Sequence, residues 1–92
     1  MENSQKSVKE KLRKLRGWKL KGQSIWKIFY FRDFTASMKF VDSVAILAER
    51  LDHHPDILIK YDTVQLNLTT HDEGGLTEKD FALAAQINKI RK

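Results

Sequence analysis

The spacing of apolar residues switches between helical and strand-like periods along the chain. From Ser7 to Arg16 it is helical: Val8, Leu12 and Leu15 fall on one face among basic residues, which predicts a first helix. Ser7 and Glu10 have the spacing of a capping box, and Gly17 supplies the stop. Trp18-Lys19-Leu20 then reads as a short strand, Lys21-Gly22-Gln23-Ser24 as a turn, and Ile25 to Phe31 as a second strand rich in β-branched and aromatic residues. Ile25, Phe29 and Phe31 alternate to one side of it, and Trp26, Ile28 and Tyr30 to the other. A sheet with one wet face would show polar residues in the second set. Part of that face is therefore expected to be covered, with a partner subunit as one candidate and half-exposed aromatics as the plainer alternative.

From Phe34 to Leu51 the period is helical again, with Asp33 or Thr35 as the cap. Met38, Val41, Ala45 and Ala48 form one stripe, and Phe40, Val44, Leu47 and Leu51 a second. Two stripes predict a helix covered on more than one side, by the sheet and by something else. Pro55 is expected to end this helix and to leave His54 in extended geometry. Asp56 to Tyr61 reads as a third strand, with Ile57, Ile59 and Tyr61 on one face, and Asp62-Thr63 as a tight connection. In the fourth strand, Val64 to Thr70, residues Val64, Leu66 and Leu68 point to the helices, while Gln65, Asn67, Thr69 and His71 point away. Asp72 to Gly75 is a loop. Thr77 and Asp80 form a second capping box, opening a last helix with Phe81, Ala84, Ala85, Ile87 and Ile90 apolar. The order α-β-β-α-β-β-α, with hairpins between paired strands, predicts an α+β fold: a four-stranded antiparallel sheet with helices packed on one face.

Ninety-two residues suffice for one core, so residues 1–92 are read as a single domain for which burial in an oligomer is a reasonable expectation. The absence of cysteine excludes disulfides, a thiol nucleophile and thiolate metal sites. The longest apolar runs, Val44 to Ala48 and Ile28 to Phe31, are far below the roughly 20 residues of a membrane span. A transit peptide is disfavoured by Glu2 and Glu10, so no membrane association and a cytoplasmic location are expected. Of the net charge of +5, residues 1–27 hold nine basic side chains against two acidic ones, and the remainder eight against ten. The basic start is read first as the solvated face of a helix, with nucleic acid or an acidic partner as the lesser alternative.

The candidate chemistry lies in the acidic part. His53 and His54 precede the only proline, Pro55, and His71 stands at the far end of the fourth strand. Imidazole titrates near neutrality, which suits acid–base work. Helical spacing puts Glu49 on the same face as His53, where its carboxylate could hold one ring nitrogen, and Asp52 could do so from the helix end. His54 and His71 converge if the fourth strand runs close to the helix end, and Asp80 could orient His71 besides capping with Thr77. Adjacent histidines make a poor zinc site. No nucleophile elbow surrounds any Ser or Thr, and Gly74-Gly75 lacks the rest of a phosphate loop. Acid–base chemistry without metal, cofactor or covalent intermediate remains.

Glu49, then His53-His54-Pro55, Tyr61, His71 and Asp80 at these spacings resemble the signature of the pterin-4a-carbinolamine dehydratase family. The surroundings agree: Phe31-xx-Phe34, Ala48-Glu49, Thr70-His71-Asp72, and Gly75-Leu76-Thr77 leading to Asp80. The likeness spans roughly residues 17 to 91. Ile57 stands where animal members commonly carry tryptophan, as in the microbial branch. The resemblance implies dehydration of 4a-hydroxytetrahydropterin to quinonoid dihydropterin in tetrahydropterin recycling. It implies His54 and His71 as the acid–base pair and His53 as the residue that binds and polarises the pterin, these assignments being exchangeable. It further implies Asp52, Pro55, Thr69, Thr70 and Asp72 as substrate contacts through backbone or side chain, and Glu49 and Asp80 as supporting carboxylates. A homodimer or homotetramer built on the Phe34–Leu51 helix and the second strand is expected. Animal members also stabilise dimers of a homeodomain transcription factor, which implies a non-catalytic assembly role as the alternative.

Overall fold

The computed structural model describes residues 5–91, so Glu2 lies outside the described residues. The elements are α1 (Gln5–Arg13), β1 (Lys19–Lys21), β2 (Ser24–Tyr30), α2 (Phe34–Leu51), β3 (Asp56–Lys60), β4 (Thr63–Leu68), a 3-10 turn (His71–Glu73) and α3 (Glu78–Asn88). This is the α+β order that the hydrophobic pattern predicts. The four strands form one antiparallel sheet in the order β1-β2-β4-β3. Strand β4 is therefore central, and Val64, Leu66 and Leu68 along it are fully buried. They meet Ile25 and Phe29 of β2, Phe40 and Val44 of α2, and Leu83, Ala84 and Ile87 of α3 in one core, with the helices on one face. Each such side chain contributes about 1.5–3 kcal/mol by leaving water.

Several boundaries differ from the expected ones. Ser7 lies inside α1 rather than at its cap, and α1 ends at Arg13, with a turn filling the interval to Gly17. Phe31 falls just beyond β2, where its N–H bonds to the Asp62 carbonyl at 2.8 Å and its ring packs 5.0 Å from that of Phe40. Tyr61 leaves β3 for a left-handed turn conformation (φ 51°), so it does not share a strand face with Ile57 and Ile59. β4 ends at Leu68, ahead of Thr70.

The α2 limits agree with the sequence, and Asp33 is the cap: its Oδ1 accepts the Ala36 N–H at 2.9 Å. The two stripes collapse into one buried line of Ser37, Phe40, Val44 and Ala48. Phe34, Ile46 and Leu51 remain exposed, at 49%, 58% and 40%. Pro55 is not what stops this helix. Asp52 adopts a left-handed conformation (φ 52°), and its N–H and that of His53 bond back to carbonyls of the last turn.

Candidate active site

His53 and His54 are held by different devices. The left-handed residue Asp52 breaks helical register, so the i to i+4 relation between Glu49 and His53 no longer applies. His53 turns inward (side chain 11% exposed), and its Nε2 lies 2.6 Å from Oδ1 of Asp80. His54 turns outward, and its Nε2 lies 2.7 Å from Oε2 of Glu49, an exposed pair. The structure thus exchanges the expected partners: Glu49 supports His54 instead of His53, and Asp80 supports His53 instead of His71. Among the described residues, no hydrogen bond to the His71 ring is present.

Asp80 is the buried centre of this arrangement, at 0% exposure. It sits in the first turn of α3, where Thr77 and Asp80 form the expected capping box. Its Oδ2 accepts the Thr77 N–H at 2.9 Å and the Thr70 hydroxyl at 2.7 Å. Because the Thr70 hydrogen goes to Asp80, the Thr77 hydroxyl donates to Thr70 Oγ1 (2.9 Å) and accepts the Lys79 N–H (3.2 Å). Among the described residues no buried side-chain N or O lacks a partner. With Asp80 accepting at both oxygens, His53 Nε2 carries a hydrogen and Nδ1 is the atom left to act.

Thr70 is 6% exposed and its hydroxyl is committed to Asp80 and Thr77, so that oxygen is not presented outward as a substrate contact would be. Carrying the alternation of Val64, Leu66 and Leu68 two residues further puts Thr70 on the inward side, a signal that the sequence contains. Thr69 points away, and its hydroxyl donates to the Gln23 carbonyl at 2.6 Å, a partner the sequence does not disclose.

Thr70 and Gly75 exchange backbone hydrogen bonds of 3.2 and 3.1 Å, which pinch the loop carrying His71 and Asp72. Gly74 makes this closure possible in a left-handed conformation (φ 76°). Both His71 and Asp72 are exposed at its crown. The bonds from His53 and from Thr70 to the two oxygens of Asp80 tie the segment after α2 to the residue before His71, and β3 and β4 begin and end at this same end of the sheet. Asp52 to Pro55 and Thr69 to Asp72 thus stand at one end of the sheet. The hollows of about 480 Å³ beside Tyr30 and Phe40 and of about 640 Å³ around Trp26 are not lined by a histidine.

The family model described as pterin 4 alpha carbinolamine dehydratase matches residues 1–90. A protein of Sulfolobus acidocaldarius assigned as a pterin-4-alpha-carbinolamine dehydratase is 42% identical over 91 residues, 99% of this chain and 100% of its own length. One of Acidobacterium capsulatum with the same assignment is 51% identical over 85 residues, 92% of each chain. The solved structure of a transcriptional coactivator/pterin dehydratase from Brucella melitensis superposes with a TM-score of 0.88 at 38% identity, covering 92% of this chain and 93% of that one. A pterin dehydratase-like protein identified as a RuBisCO assembly factor in the alpha-carboxysome superposes at 0.67 with 26% identity, over 79% and 87%.

Proposed function

The chain belongs to the pterin 4 alpha carbinolamine dehydratase family, and from that membership and the geometry of the histidine corner we propose that it dehydrates a 4a-hydroxytetrahydropterin to the quinonoid dihydropterin. The observation that supports the reading is that His53 and His54 are held on separate carboxylates and that the carboxylate on His53 also holds Thr70, the residue before His71. The reaction breaks the C4a–O bond. The leaving hydroxyl takes a proton and departs as water, a ring nitrogen gives up its proton, and the electrons of that N–H bond close a C=N bond at C4a. One proton is supplied and one is removed, so the protein ends the cycle with the protonation it began with.

His54 and His71, both exposed at the corner, serve as the acid–base pair, each supplying roughly 10²–10⁴-fold. Glu49 holds the His54 ring from the last turn of α2. His53, fixed by Asp80, presents Nδ1 to the pterin and polarises it, while Asp52, Pro55, Thr69 and Asp72 border the ring. Residues 1–92 work as one unit in the cytoplasm, and no helix among the described residues is long and apolar enough to cross a membrane. The test is loss of the 4a-carbinolamine absorbance. Purified protein accelerates it above the spontaneous rate, and His71→Ala removes most of the gain; a protein no faster than buffer sinks the reading.

An assembly role is the second reading, favoured by the apolar residues Phe34, Ile46 and Leu51 left on α2 and by the assembly function named for one structural relative. Ile46, on the side of α2 turned away from the core, suits self-association as a homodimer or homotetramer, which both readings accommodate.

A further inference from the structure

The dehydratase chemistry occupies one end of the sheet and leaves its open face, opposite the helices, without a task. Register defines that face. Lys19, Trp26 and Asn67 lie side by side across β1, β2 and β4, and Ile28, Gln65 and Leu58 form the next row across β2, β4 and β3. Tyr30, Thr63 and Lys60 form the row beyond. Trp26, Ile28 and Tyr30 therefore step outward along one strand at intervals of about 6.7 Å, set by the strand rise. Trp26 is half-buried and Tyr30 is 73% exposed, so flat apolar surface is offered to solvent in a line.

Polar groups flank that line on both sides. The Gln65 amide donates to Asn67 Oδ1 at 3.0 Å, which uses one end of each side chain and leaves the other ends facing outward. Both amides, with Lys21, Ser24, Trp26 and Ile28, border the hollow of about 640 Å³. Lys19 Nζ lies 5.6 Å from the Trp26 ring centroid. Lys19, Lys21 and Lys60 are all exposed, and the exposed Arg13, Lys14 and Arg16 precede β1 in the chain. The acid on this face is Asp56, at the corner opposite Asn67.

We propose that this face binds single-stranded nucleic acid. Bases stack on Trp26 and Tyr30, the Gln65 and Asn67 amides meet base edges, and Lys19, Lys21 and Lys60 pair with phosphates. Aromatic rings displayed on a four-stranded sheet are a known solution to reading unpaired bases, because every base offers a π-face and only an unpaired base can present it. The aromatic line and the cations belong together: charge alone would suit a duplex equally, whereas stacking demands a single strand. On binding, the Lys19 ammonium exchanges the Trp26 face for a phosphate.

Fluorescence anisotropy of a labelled mixed-sequence strand of roughly ten nucleotides, titrated with the full chain between about 50 and 200 mM salt, tests this. Binding is expected, with the single strand preferred to the duplex of the same sequence. Trp26→Ala should weaken it about ten-fold or more at unchanged helical circular dichroism. Lys19→Gln with Lys21→Gln should lower the salt slope by about 1.4. Should Trp26→Ala fail to fold, Tyr30→Ser, at a more exposed position, carries the same expectation. Absence of binding overturns the proposal. So does equal affinity for duplex with the aromatic variants harmless, which would place the contact on the basic helix. A change in molecular mass of Trp26→Ala without a change in affinity also overturns it, because the face would then be covered by a second copy of the chain.

Discussion

At the residue scale, the two oxygens of Asp80 separate the roles of His53 and the α3 cap. Oδ1 faces His53, and Oδ2 takes the Thr70 hydroxyl and the Thr77 N–H. Thr70→Val preserves shape but removes one of the two donors to Asp80 Oδ2 and leaves the Thr77 hydroxyl hydrogen without its acceptor, so urea unfolding should show a loss of about 1–3 kcal/mol. If Thr70 acts only by holding Asp80, kcat falls while KM stays near wild type, and Thr70→Ser restores both. A KM effect alone would return Thr70 to the substrate. His71→Ala should lower kcat at least about 100-fold, yet move stability by no more than about 0.5 kcal/mol, because the ring is exposed at a loop crown. The exposed Glu49–His54 pair contributes at most about 1 kcal/mol to stability, so Glu49→Gln should register in activity rather than in unfolding.

At the scale of elements, Asp52 decides the site's geometry. It is a non-glycine residue in the left-handed region, where an L side chain carries a steric cost. Asp52→Gly should therefore raise the unfolding free energy by up to about 1 kcal/mol; lost activity in that more stable variant would locate the Asp52 carboxylate at the pterin. Removing the α2 cap with Asp33→Ala should cost about 1 kcal/mol. The α2 limits, the inward set of β4 and the Thr77–Asp80 capping box were legible in the sequence because each depends on local period and neighbouring residues. The carboxylate partners were not. Helical spacing points Glu49 at His53, and only the turn at Asp52 reveals that the chain has rotated by then. The two α2 stripes misled for a related reason: apolar periodicity shows which faces can be buried, whereas Ser37 in the buried line is chosen by what packs against it.

For the whole molecule, the helices cover one sheet face and leave two surfaces: the outer side of α2, with Ile46, and the open sheet face with Trp26. Self-association on α2 makes Ile46→Asp the informative change, since it places charge where a partner helix would pack. Light scattering should show the wild type as dimer or tetramer at micromolar concentration and the variant as a smaller species, while a wild-type monomer would contradict the oligomer. The β3–β4 hairpin and the bonds of His53 and Thr70 to Asp80 also tie the proline-adjacent segment to the strand end that leads into the His71 loop. On that link the account of function rests. Its most direct test is single-turnover dehydration of a 4a-hydroxytetrahydropterin, followed by absorbance, with wild type, His54→Ala, His71→Ala and the double variant. The account expects acceleration by the wild type, a large loss in each single variant, and a double-variant rate close to the worse single. Wild-type protein that leaves the spontaneous rate unchanged, or single variants as fast as wild type, would contradict it.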